Sequence, residues 1–209
     1  SYFLFFPNVA DHTGRGWRTS ISLQNPFSSA AYVTIQCFDD SGTLLNVFGT
    51  CIPAYGKIGS YARAFNLDRM FFGTIILSSN ASIVGVAVIV NNANTMSCSY
   101  RALSTASSML AFPNIADDTR RGWRTSVVLQ NPSSSTADVT IYCFDDSGTL
   151  LDTYATSIPA YGKIGAYARA FNNGNMFFGS IIVTSDVGLV GVAVEANSAN
   201  TMANSYEAP

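Results

Sequence analysis

The sequence is short of charge. Asp, Glu, Lys and Arg make up 11% of its 209 residues, where about a quarter is usual in soluble domains. Only two lysines occur, Lys57 and Lys163, and only two glutamates, Glu195 and Glu207. Surface helices are built largely from Glu, Lys, Ala and Leu, so this shortage points away from helices and toward an all-β chain. The net charge of −2 supplies no basic face, which excludes a non-specific binder of nucleic acid or of anionic membranes. No apolar run approaches the roughly 18 residues of a membrane-spanning helix, so no membrane span is expected. What is present is apolar material: 48% of residues are hydrophobic and 12% aromatic. A disordered chain does not carry that much.

The chain repeats itself. Phe6 to Tyr100 realigns on Phe112 to Tyr206 at an offset of 106 with no gap; 30 of those 95 pairs differ, leaving 65 identical. Two domains follow, residues 1–106 with a linker over about 101–106, and residues 107–209. Each is the size of one small β-sandwich. Short alternating segments separated by turn signals fill each copy. In Tyr32 to Phe38, Val33, Ile35 and Cys37 point inward while Thr34 and Gln36 point out. Asp39-Asp40-Ser41-Gly42 reads as a turn with glycine in the left-handed position. No window has a helical period. The expected architecture is two tandem Ig-like antiparallel β-sandwich domains from an internal duplication.

The strings Phe112-Pro-Asn-Ile-Ala-Asp117, Gly122-Trp123-Arg-Thr125, Leu129-Gln-Asn-Pro132, Val139-Thr-Ile141 and Asp145-Asp-Ser-Gly148 resemble a repeat module of bacterial secreted and surface proteins. The pattern of that family runs FP-x-x-A, GW-x-T, L-x-NP, a valine strand, then D-x-G. The resemblance covers both copies. It implies a secreted β-sandwich and brings no catalytic or binding residues with it.

The cysteines divide by position. Cys37 and Cys143 are equivalent and inward-facing, as buried small hydrophobes are. Cys51 and Cys98 face Ser157 and Asn204 in the other copy. They are absent together, which is how a disulfide behaves, so a Cys51–Cys98 bond is expected. No Cys-x-x-Cys exists and His12 is the only histidine, so no metal site or cofactor is expected. A nucleophile–histidine arrangement would rest wholly on His12, which copy two replaces with Asp118. The Asp39/Asp40 and Asp145/Asp146 pairs suit turns better than glycosidase carboxylates. The chain therefore reads as no enzyme.

Two groups remain as binding candidates. Trp17, Arg18, Trp123 and Arg124 could stack on a sugar ring or meet a partner; the alternative is a Trp plugging the sandwich end, with nearby arginines paired to Asp11 or Asp117. Tyr61, Arg63 and Phe65 read as one strand face, as do Tyr167, Arg169 and Phe171, forming a cation–π or Asp-paired ladder or a subunit contact. Asn80-Ala81-Ser82 is a formal glycosylation sequon.

Function is expected from assembly. The first strand, Tyr2-Phe3-Leu4-Phe5-Phe6, is more apolar than its equivalent Ser108-Met109-Leu110-Ala111-Phe112. An exposed strand of this kind is a pairing hazard unless a sheet takes it up. The expectation is a structural subunit of an extracellular or cell-surface filament, its partners copies of itself, joined end to end with this strand contributed to a neighbour. The alternative is a lectin-like adhesion module whose partners are glycans. Few lysines and glutamates, with many Asn, Ser and Thr, suit either extracellular setting.

Overall fold

A computed structural model describes residues 1–197, 199 and 201–208. The protein is all-β, and every paired strand runs antiparallel to its neighbours. In the first copy, β1 (Tyr2–Asp11), β6 (Phe71–Ser79), β3 (Ala31–Asp39) and β4 (Leu44–Ile52) form sheet A in that order. Sheet B is β5 (Lys57–Tyr61), β2 (Trp17–Gln24), β7 (Val84–Asn91) and β8 (Ser97–Arg101). The inward residues Phe6, Ile21, Leu23, Val33, Ile35, Cys37, Ile75 and Leu77 fill the space between them. That is the sandwich the alternating pattern calls for.

The second copy keeps the same registers at the same offset, apart from the start of its first strand. Phe6 pairs with Ile75 and Phe112 with Ile181; Ala31 pairs with Ile52 and Ala137 with Ile158. Its strands are β9 (Ser107–Asp117), β10 (Trp123–Gln130), β11 (Ala137–Asp145), β12 (Leu150–Ile158), β13 (Lys163–Tyr167), β14 (Phe177–Asn197) and β15 (Ala203–Glu207). One difference is topological. Copy one breaks between β6 and β7, whereas β14 runs unbroken through both layers. We call its β9, β11, β12 side sheet C and its β13, β10, β15 side sheet D.

The turns obey local chemistry. The Asp39 carboxylate accepts from the Ser41 and Thr43 N–H groups, both at 2.9 Å, and Asp145 does the same with Ser147 and Thr149. Gly42 and Gly148 take φ of 86° and 84°, a conformation that side chains disfavour. Asp145 therefore holds its carboxyl below the usual range through its hydroxyl and amide donors.

Three expectations are corrected. First, Cys51 and Cys98 are not bonded; all four cysteines are free. Cys51 lies on the outer face of sheet A opposite the exposed Tyr32, while Cys98 points inward from sheet B beside Ile89. A disulfide would have to join an outward side chain on one sheet to an inward one on the other. Second, the Tyr2 to Phe6 strand is paired within its own domain. It runs along β6 from Tyr2 opposite Ser79 to Phe6 opposite Ile75, burying Leu4, Phe5 and Phe6 and leaving Tyr2 and Phe3 exposed. This register occupies one edge of the strand at home, and on its other edge Phe5 exchanges backbone hydrogen bonds with Leu103. Third, β5 stops at Tyr61 and Ala62–Asn66 is a 3-10 turn, so Tyr61, Arg63 and Phe65 do not share a strand.

Candidate functional site: the contact between the two copies

The register places a continuous row of side chains on the outer face of sheet D. Lys163, Gln130 and Val190 stand side by side, and next to them Gly165, Val128, Val192 and Glu207. This face is covered by the first copy. Phe5, Phe38 and Ile76, on the outer face of sheet A, form a small buried cluster with Val190, flanked by Leu103, Ala106 and Tyr161. Val128 and Val192 join the core of the first copy. Two apolar sheet surfaces thus exclude water between the copies.

Polar contacts fix the approach. Phe38 and Tyr161 stack with centroids 5.0 Å apart. The Lys163 N–H donates to the Asp40 carbonyl at 3.0 Å, and its ammonium lies 3.4 Å from the Asp40 carboxylate. Thr74 Oγ1 donates to the Tyr161 carbonyl at 3.3 Å. Burial pushes the Lys163 ammonium below its usual value, against the pull of Asp40. The fit is close: a Cβ on Gly42 would sit 1.9 Å from the Ala160 carbonyl oxygen.

The contact is head to tail. Asp40 meets Lys163, but their equivalents Asp146 and Lys57 do not meet, so the two copies use different surfaces. Along the β8–β15 seam, residues 106 apart lie together: Ser205 Oγ donates to the Ser99 carbonyl at 2.6 Å, and the Arg101 N–H donates to the Glu207 carboxylate at 2.5 Å. Like positions side by side mark a repeating displacement rather than a two-fold exchange.

Burial follows from this asymmetry. Val190 and Val192 are 1% and 0% exposed, but their equivalents Val84 and Val86 are 50% and 37% exposed. On the other side Met96 is 6% exposed and Met202 61%. Phe38, Thr74 and Ile76 are buried, whereas Phe144, Ser180 and Ile182 are only half-buried. Each copy therefore leaves open the surface that the other copy buries. Gln130 is buried with no partner for either side-chain amide atom among the described residues, while Gln24 is exposed.

The other sequence candidates separate. Trp17 and Arg124 come from different copies to line one cleft of about 630 Å³ with Met96, Cys98 and Tyr167. Arg18 and Trp123 lie outside it; Arg18 donates to Asn94 at 2.7 Å, and Trp123 is exposed. The four residues do not form one sugar-stacking platform. Asp11 and Asp117 pair with Arg63 and Arg169, at 3.1 and 2.8 Å, rather than with the arginines near the tryptophans. Arg15 and Arg121 instead lie over Phe72 and Phe178. Arg63 and Arg169 also stack on Tyr61 and Tyr167 at 4.6 and 5.0 Å, so the expected cation–π and Asp pairing exists, carried by a 3-10 turn. Burial pushes Asp11 and Asp117 above the usual carboxylate range and the Cys37 and Cys143 thiols up to about 12. Asn80 is exposed, and its Oδ1 accepts from the Tyr32 N–H at 2.8 Å. No helix among the described residues is long and apolar enough to cross a membrane.

No family model and no curated protein matches the chain. Among solved structures, it is similar to a Thermotoga maritima protein at 12% identity, covering 50% of this chain and 95% of the other, with a TM-score of 0.41. The Anabaena sensory rhodopsin transducer matches at 16% identity over 43% of this chain and 96% of its own, with a TM-score of 0.36. FlgD from P. aeruginosa matches at 22% identity over 46% and 78%, with a TM-score of 0.29.

Proposed function

We propose that the protein is a secreted structural subunit that builds an extracellular or cell-surface filament by end-to-end contacts with copies of itself. One observation carries this reading: the two copies within the chain pack head to tail, through different surfaces, and each surface recurs uncovered on the opposite copy. A heterologous contact does not satisfy itself. It continues until it closes a ring or runs on as an open polymer. The chain is already two steps of such a series. Low charge suits this role, since little repulsion opposes close approach. The N-terminal strand is not needed as the link, because it completes its own sheet.

Electron microscopy and light scattering of purified protein over rising concentration test the reading. Linear particles that lengthen with concentration are expected. A chain that stays monomeric at high concentration overturns it, and closed rings of one size overturn the filament while leaving the contact.

A further inference from the structure

We infer that a second copy of the chain docks on the outer face of sheet B, through Lys57, Val84 and Val86, using its Asp146 turn, Phe144 and Ile182. This rests on the proposed end-to-end assembly and names the surfaces that would carry it. In short, the contact between subunits repeats the contact between the two copies, with Lys57 opposite Asp146 as Lys163 is opposite Asp40.

The argument starts from identity. On the receiving face, Ala54, Tyr55, Gly56, Lys57, Val84, Val86 and Val88 match Ala160, Tyr161, Gly162, Lys163, Val190, Val192 and Val194 without a change. On the entering side, Phe144, Asp146, Gly148 and Ile182 match Phe38, Asp40, Gly42 and Ile76. Backbone registers are also equal across each sheet. Val84, Val86, Tyr55 and Lys57 are therefore open on one face in copy one, whereas in copy two Val190 and Val192 are closed and Tyr161 and Lys163 half-buried. An open apolar patch on a sheet face calls for an occupant. The occupant that fits is the one already seated on the equivalent face.

The differences have a direction too. On the receiving face, Ser22 and Ser97 stand where copy two has Val128 and Ala203. On the entering side, Glu195 and Asn204 stand where copy one has Ile89 and Cys98. Both halves of the contact between chains are thus more polar than the contact within one. A surface that must stay dissolved before it associates is expected to be so. One seam contact is not repeated. Within the chain, the Arg101 N–H meets the Glu207 carboxylate. Between chains, Arg101 stands in the place of that carboxylate opposite the Glu207 N–H, and a guanidinium cannot accept.

Charge reversal at the exposed pair tests this without touching either core. The variants are Lys57→Glu, Asp146→Lys and the double variant, compared with wild type by sedimentation over a concentration series. Each single variant should associate at least about tenfold more weakly, since it sets like charges together. The double variant should recover the wild-type behaviour. A mixture of the two single variants should polymerise again by alternation, because both junctions between unlike variants set opposite charges together. If wild type polymerises and the single variants polymerise equally well, this face is not the junction, although the assembly reading stands. A double variant as weak as the singles overturns the Lys57–Asp146 pairing. A wild type that never associates overturns both readings.

Discussion

The turns Asp39–Thr43 and Asp145–Thr149 have one sequence and one hydrogen-bond pattern, yet they do different work. The first is wedged against residues 160–163 of the other copy; around Gly148 in the second a Cβ would meet nothing within 4 Å. Local chemistry sets the shape of both turns, through a carboxylate cap and a left-handed glycine. What lies beyond the turn decides whether that shape is a surface feature or half of an interface. The same holds for the valines of β7 and β14. A duplicated chain thus contains its own control, an identical residue in a covered and an uncovered setting.

Placing a charge on the valine row should split the two settings most widely. Val192→Asp buries an unpaired carboxylate between the copies, and the expected loss is about 3–5 kcal/mol. Val86→Asp puts the same group at a partly open position, so the change should stay within about 0.5 kcal/mol. Denaturant unfolding at low protein concentration measures both. Equal losses would mean that the contact between copies contributes no more than the open face does.

Gly42→Ala and Gly148→Ala sharpen the comparison at smaller amplitude. Both force a side chain into a left-handed conformation, costing about 1–2 kcal/mol. Only the first also drives a Cβ to 1.9 Å from a backbone oxygen and 2.9 Å from the Gly162 nitrogen. The copies must then shift apart or overpack, for a further 1–3 kcal/mol or so. Thermal unfolding should show Gly42→Ala well below Gly148→Ala. Similar melting temperatures would show that the turn is free to move off its partner.

Much of the fold was legible because it is local. Alternation in Tyr32 to Phe38 located its inward side chains, and Asp-Asp-Ser-Gly located its turn with the glycine conformation. What escaped was long-range. Val84 and Val190 open the same string, Val-Gly-Val-Ala-Val, and nothing in that string tells which is covered. Arg63 was misassigned to a strand face because the spacing Tyr61, Arg63, Phe65 imitates a period of two across a 3-10 turn. The cysteine pair misled for a related reason. Cys98 lies on the covered edge of copy one and Asn204 on the open edge of copy two, so their difference tracks exposure, while Cys51 is a surface residue. One signal was there to be read: Val128 and Ala203 replace two serines on one face. Seeing them as a face requires the register across three strands, and spacing along the chain does not supply it.

The smallest expected effect concerns Gln130. Its side chain stands on the outer face of sheet D between Lys163 and Val190 and is fully buried, with no hydrogen-bond partner for either amide atom among the described residues. Its equivalent Gln24 stands in the same row between Lys57 and Val84 and is exposed to water. A buried unsatisfied amide costs about 1–3 kcal/mol, and replacing it with an apolar group of similar shape removes that cost. Gln130→Met should therefore stabilise the chain by about 1–2 kcal/mol. Gln24→Met should change stability by less than about 0.5 kcal/mol, because its amide is already hydrated. A kept glutamine that weakens its own chain is consistent with one residue serving both settings, one of which stays wet before a neighbour arrives. Gln130→Met unfolding earlier than wild type would show instead that the amide is satisfied at the contact, and the energetic asymmetry between the two faces would then be smaller than their burial suggests.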